Sequence, residues 1–87
     1  MQTESERRKI IRNVVETQFP DFYKKIKHLQ GFGGYDSGMS WLYATVRDII
    51  EVDQGSDSFN MSLSRFRGIG PEFREIFQVA REVKKIS

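Results

Sequence analysis

Arg65-Phe66-Arg67-Gly68-Ile69-Gly70-Pro71, with the run 72–86 behind it, is the stretch that decides the fold of this chain. Two glycines flank one apolar residue, and a proline follows directly. Glycine lets a backbone turn tightly, and proline suits the first turn of a helix because its missing N–H would have no partner there. The run after the proline has apolar residues at helical spacing, namely Phe73, Ile76, Phe77, Ala80 and Val83. The stretch therefore predicts a tight turn that opens a final helix at Pro71.

The N-terminal part of the chain predicts two helices separated by a proline. The first, over 4–19, carries one apolar stripe consisting of Ile10, Ile11, Val14, Val15 and Phe19. Proline is compatible with the first turn of a helix but not with its interior. We therefore expect the first helix to end near Gln18 and the second to begin at Pro20. The second helix has an apolar side and an opposite basic side formed by Lys24, Lys25, Lys27 and His28.

A glycine-rich segment, 31–38, separates the second helix from a third. Its glycines permit positive backbone φ angles. Asp36 or Ser37 is suited to cap the third helix, which we expect over about 38–52. Two side chains of that helix fall on a flanking face beside its apolar stripe: Trp41 and Thr45.

A polar loop and a short fourth helix complete the pattern ahead of Gly68. No sustained alternation of apolar and polar residues predicts a strand. We expect an all-α fold: a compact five-helix single domain over 1–87. Its parts are an N-terminal helix (4–19), a first helical hairpin (20–52) and a second helical hairpin (58–86).

The composition limits the classes of protein to consider. Of the 87 residues, 38% are hydrophobic, enough to fill the one modest core that a chain of this length can bury. The absence of cysteine excludes disulfides and thiolate metal sites and favours a reducing compartment. The N-terminus is charged where a signal peptide is apolar, and no apolar run approaches the roughly 20 residues of a membrane span. We expect a cytoplasmic protein with no membrane partner.

Enzyme chemistry has little support in the sequence. His28 is the single histidine, and it stands among lysines on a predicted solvent face. The acidic residues of 48–57 lack the ligand spacing of a calcium-binding loop. No phosphate-binding Gly-Lys-Ser/Thr string or nucleophile with a partnered base is present. We expect no catalytic residue, no metal site and no cofactor.

The distribution of charged residues along the sequence is more informative than the net charge. The net charge is only +2, from 14 basic and 12 acidic residues. Basic residues cluster in 7–12, 24–28 and 65–74, whereas 48–57 is acidic. Separated charge of this kind can steer a polyanion onto one face, and it is equally typical of solvated helix faces that keep a protein soluble.

A Gly-apolar-Gly turn between two helices suits a phosphate oxygen, because the amides that open the second helix lie at the positive end of its dipole. Such contacts position a nucleic acid without reading its bases. The segment 63–76 resembles the helix-hairpin-helix motif, and together with 45–49 it loosely resembles the C-terminal domain of the bacterial RNA polymerase alpha subunit. The resemblance implies DNA binding without sequence specificity. Its implied hairpin is Gly68, Ile69 and Gly70, and its implied phosphate ligands are Arg65, Arg67 and Arg74. We expect Lys24, Lys25 and Lys27 to add salt-dependent affinity.

The first half of the chain repeats part of this pattern. A shift of 37 residues places Gly31 on Gly68 and Gly33 on Gly70. Two alternatives stay open, a duplicated helix-hairpin-helix unit or matches produced by helical periodicity. The Gly-Pro string is also typical of an ordinary helix C-cap followed by a new helix. The expected partner is the backbone of DNA or RNA, and the alternative is a protein-interaction module or small protein inhibitor on the same helical scaffold.

Overall fold

The computed structural model describes residues 3–53 and 73–86. These ranges contain no strand, and their helices are α1 (Glu4–Gln18), α2 (Pro20–Lys27), a short 3-10 helix (Phe32–Gly34), α3 (Gly38–Asp53) and α4 (Glu75–Ile86). The radius of gyration is 12.2 Å, close to the roughly 12 Å expected of a compact chain of this length. The all-α prediction is confirmed. The described ranges hold four α-helices rather than five, since the short helix expected ahead of Gly68 lies outside them.

The boundary between α1 and α2 lies where the proline predicts it. The N–H of Phe19 donates to the carbonyl of Val15 over 3.0 Å, and the carbonyl of Phe19 accepts from Tyr23 N–H over 2.9 Å. Phe19 therefore closes one helix and opens the next, with Pro20 in the first turn of α2. At the other end of α1, Thr3 Oγ1 accepts a hydrogen bond from Glu6 N–H at 3.1 Å and caps the helix.

The glycine-rich segment is a closed loop with defined geometry. Gly31, Gly33 and Gly34 have φ angles of 63°, 57° and 85°, a region that residues with a Cβ rarely adopt. The ends of the loop are joined by a hydrogen bond from Gly38 N–H to the carbonyl of Leu29, at 2.9 Å. The expected positive φ angles are confirmed, and they return the chain from the end of α2 to the start of α3.

Ser37 is the cap of α3, which settles the choice between Asp36 and Ser37. Its Oγ accepts the Ser40 N–H at 3.2 Å. The helix then begins at Gly38 and runs to Asp53, one residue beyond the expected end. Gly38 is buried and lies directly against the backbone of Ile26 at the end of α2, so these two helices approach closely at this point.

α3 is the central helix, since it packs against α1, α2 and α4. Trp41 and Thr45, expected on a flanking face beside the apolar stripe, are both buried. Trp41 packs against Phe32 and Phe73. The buried apolar side chains form one cluster: Ile11, Val14, Val15, Phe22, Ile26, Trp41, Leu42, Val46, Ile49, Ile50, Phe73, Ile76, Val79, Ala80 and Val83.

An aromatic cluster joins the glycine loop to the start of α4. The ring centroid of Phe73 lies 5.0 Å from those of both Trp41 and Phe32 and 6.5 Å from that of Phe22. α4 begins at Glu75, and Phe73 and Arg74 form a turn directly ahead of it, whereas the expected start at Pro71 lies outside the described residues. Burial of Phe73 in this cluster holds the turn against α3, and the regular helix starts only beyond it.

Candidate nucleic-acid interface

Only some of the predicted site residues belong to the described ranges. The predicted hairpin and two of its arginines lie outside them: Arg65, Arg67, Gly68, Ile69 and Gly70. Arg74 is exposed, in the turn before α4, and Lys24, Lys25 and Lys27 are exposed on α2. His28 is exposed as well, as expected of a surface residue. Of the predicted residues that the structure describes, Lys27 has the most informative surroundings.

The side chain of Tyr23 contacts basic residues of two helices, Lys27 of α2 and Arg12 of α1. The Lys27 Nζ lies 5.3 Å from the centroid of the Tyr23 ring, within the range of a cation–π contact. The hydroxyl of the same tyrosine accepts a hydrogen bond from Arg12 Nη2 at 3.4 Å. The tyrosine therefore places cations of α1 and α2 side by side, although they are 15 residues apart in the sequence.

Arg12 is held in one orientation by a second contact on its own helix. Its Nε donates to Glu16 Oε1 at 2.7 Å, one turn further along α1. The hydrogen bond from Arg12, with a smaller contribution from Tyr23, lowers the pKa of Glu16. Hydrogen bonds to Glu16 and, second, to Tyr23 raise the pKa of Arg12 above its already high ordinary value. The guanidinium is thus positioned and permanently charged.

Arg8, one turn earlier on α1, likewise contacts a tyrosine ring and a glutamate. Its Cζ lies 5.5 Å from the centroid of the Tyr43 ring of α3, and its Nε donates to Glu4 Oε1 at 3.3 Å. Burial raises the pKa of Tyr43, so the phenol stays neutral at physiological pH. Arg8 therefore rests on an uncharged aromatic ring while its side chain remains 56% exposed.

An open groove runs along this side of α1. Its volume is about 470 Å³, and it is lined by Glu4, Ser5, Arg8, Lys9, Arg12 and Tyr43. We call the surface made of the groove's cations, Tyr43 of α3 and the neighbouring residues of α2 the basic face; its members are Arg8, Lys9, Arg12, Tyr23, Lys27 and Tyr43. Arg8 forms an ion pair with Glu4, and Arg12 forms one with Glu16. Lys9 and Lys27 form no ion pair with any residue in 3–53 or 73–86, so the basic face carries excess positive charge.

No family model, curated protein or solved structure matches the chain. The resemblance to the helix-hairpin-helix motif stays a prediction from the residues 63–76 alone.

No helix in 3–53 or 73–86 combines the length and apolar character needed to cross a membrane. No group of three or more His, Cys, Asp or Glu side chains in the same ranges could hold a metal ion.

Most of the basic face was missed by reasoning from the sequence. The sequence predicts the basic clusters 7–12 and 24–28, but of the basic face only Lys27 belongs to the predicted site. One signal was present in the sequence: Arg8, Arg12 and Glu16 follow each other at intervals of four, which puts them in a row along one side of α1. The tyrosines opposite that row belong to other helices and could not be paired with it in advance.

Proposed function

We propose that this protein is a non-enzymatic module that binds the phosphate backbone of nucleic acid without reading its sequence. The observation that carries the proposal is the basic face, on which cations of α1 and α2 lie next to each other around Tyr23. The two lysines of this face are exposed and have no ion-pair partner in the described ranges. When these lysines neutralise phosphates, counterions condensed on the nucleic acid are released, and the entropy of that release favours binding.

The arginines of the basic face suit the same ligand. A guanidinium offers several N–H donors in one plane, a geometry that matches phosphate oxygens. Arg12 is already oriented by Glu16 and Tyr23, so little side-chain entropy remains to be lost on binding.

We propose the predicted hairpin as a second contact with the same backbone. By resemblance it consists of Gly68, Ile69 and Gly70 with the neighbouring arginines 65, 67 and 74. The corresponding turn in the first half is less suited to phosphate, since the Gly31 N–H already donates to the carbonyl of Asp36 at 3.2 Å. We therefore place backbone binding on the basic face and the second hairpin, with Lys24 and Lys25 as exposed flanking cations.

The alternative, a protein-interaction module or small inhibitor, has less support on the described surface. Among the large apolar side chains of 3–53 and 73–86, only Tyr35 and Ile86 are exposed. These two residues alone do not form an extended apolar patch of the kind that marks many protein interfaces.

The test is a titration of fluorescein-labelled DNA and RNA of several sequences, followed by fluorescence anisotropy over a range of salt concentrations. We expect affinity that falls steeply with salt and differs little among sequences. Lys9→Glu should weaken binding to all of them and reduce the slope of log affinity against log salt by about 1 or more. Lys85→Glu is the matched control, because it makes the same change in charge at an exposed position of α4.

Absence of binding to any DNA or RNA at micromolar protein and low salt would overturn the proposal. An equal loss of affinity in Lys9→Glu and Lys85→Glu would also count against it, because the effect would then follow net charge and not the basic face. Recovery of one specific protein from nuclease-treated extract by a chain that binds no nucleic acid would favour the interaction module.

A further inference from the structure

The basic face contains two tyrosine rings as well as four cations, and this composition narrows the class of ligand. We propose that the basic face binds single-stranded nucleic acid, with one base stacked on the Arg8 guanidinium where it rests on Tyr43. This inference rests on the proposed function and adds to it the strandedness of the ligand and the position of one base. It also concerns residues other than those of the predicted hairpin.

The first argument is the arrangement of Arg8. Its guanidinium has Tyr43 on one side, with 5.5 Å between Cζ and the ring centroid, and is tied at its Nε to Glu4. The side chain is nevertheless 56% exposed, so the face turned away from the tyrosine is open to solvent. Bases of single strands stack on aromatic rings and on arginine planes, because every base has a π-face. A planar, exposed cation within cation–π distance of an aromatic ring is such a platform.

The second argument is the room available beside that platform. The groove of about 470 Å³ lies along α1 and is open to solvent. Pockets for ligands of small-molecule size measure roughly 300–1,000 Å³, so the groove has space for a nucleotide. In a duplex the π-faces of the bases are covered by their neighbours, and only an unpaired base can present one to Arg8.

The third argument is the order of the charged and aromatic groups. Starting from Tyr43 and Arg8, the groove continues past Lys9 to Arg12, which contacts Tyr23, and Lys27 lies beyond that ring. Aromatic rings thus lie at intervals among the cations along one path across α1 and α2. A positively charged groove with aromatic side chains at intervals is the arrangement that binds single strands without sequence preference. A duplex could contact the cations through its phosphates, but its paired bases could not stack on the tyrosine rings.

The experiment compares a thymine 20-mer with a 20-base-pair duplex under the same low-salt conditions, using fluorescence anisotropy. The decisive variant is Arg8→Lys, which keeps the positive charge and removes the planar group. We expect it to lower the affinity for the single strand by about fivefold or more and to change the affinity for the duplex less than twofold. Arg81→Lys, the same substitution at an exposed position of α4, is the control and should leave both affinities unchanged.

A second readout reports stacking directly. One thymine of the 20-mer is replaced by 2-aminopurine, whose fluorescence is quenched when it stacks. We expect quenching on addition of the unaltered protein and of Arg81→Lys, and markedly less with Arg8→Lys at saturating protein. Circular dichroism of each variant establishes that the helices are retained.

The outcomes separate the two proposals. Equal affinity for single strand and duplex, with no effect of Arg8→Lys, would overturn this inference while leaving backbone binding in place. An equal loss for both ligands in Arg8→Lys would make Arg8 a phosphate contact and would also overturn it. No binding to either ligand would overturn the proposed function itself.

Discussion

Replacing Gly38 with alanine should destabilise the protein, although the same change within most helices is favourable. A Cβ at this position would overlap the carbonyl oxygen of Ile26 and would lie 3.0 Å from its carbonyl carbon and 3.1 Å from its Cγ2. Carbon atoms in good contact are about 3.5–4.0 Å apart. The nearest of these atoms belong to the backbone of α2, so no rotation of a side chain can relieve the overlap, and α2 and α3 must move apart.

The size of the effect follows from three contributions. Forcing an extra methyl into a close helix contact costs about 1–3 kcal/mol. Separation of the helices also strains the bond from Gly38 N–H to the Leu29 carbonyl, which is 2.9 Å long and is worth about 1 kcal/mol. The higher helix propensity of alanine offsets roughly 0.5–1 kcal/mol of this loss of stability. We expect a net loss of about 2 kcal/mol, which for a domain of this size lowers Tm by about 8–16 °C.

Urea and thermal unfolding followed by circular dichroism measure this loss. The control is Asn13→Ala, which improves helix propensity at an exposed position of α1 and should stabilise by up to about 0.5 kcal/mol. The two substitutions should therefore have opposite signs. A Gly38→Ala protein as stable as the unaltered chain, or more stable, would show that α2 and α3 do not approach as closely as described.

Two smaller predictions concern single side chains. Ser37→Ala removes the cap that the Ser40 N–H uses and should cost about 1 kcal/mol in urea unfolding, whereas Ser37→Thr should cost clearly less; equal losses would argue against the cap. An NMR titration should give Glu16 a pKa below that of an ordinary glutamate, and Arg12→Gln should raise it toward that value, since the Arg12 hydrogen bond is the main cause of the shift. Because the pKa of Glu16 is lowered in the folded state, the ionised carboxylate stabilises the fold. This contribution is fully present above the ordinary glutamate pKa and is lost as pH falls through the lowered pKa of Glu16. An unchanged Glu16 titration in Arg12→Gln would contradict this reasoning.

Features that depend on one residue and its immediate neighbours were predictable from the sequence. Pro20 determines where α1 ends and α2 begins, because the constraint belongs to the proline ring itself. Ser37 was one of two caps expected for α3, since a hydroxyl ahead of an apolar stripe is a local signal. The all-α class follows from the same helical periodicity repeated along the chain.

Features that depend on how helices cross were not predictable. The contact of Gly38 with Ile26 arises from the approach of α2 to α3, and no pattern within either helix encodes that distance. The contact of Arg8 with Tyr43 joins residues 35 positions apart. Trp41 was expected on a flanking face and is buried because Phe32 and Phe73, from outside α3, pack against it.

The aromatic cluster around Phe73 also supplies a spectroscopic reporter. Trp41 is the single tryptophan of the chain, is only 8% exposed, and has Phe32 and Phe73 within 5.4 Å and 5.0 Å of its ring centroid. Its emission should therefore be blue-shifted in the folded protein and should move to longer wavelength when Phe73 leaves the cluster. Intrinsic fluorescence can thus follow the docking of the turn before α4 onto α3 in real time, without any label and independently of the helical signal in circular dichroism.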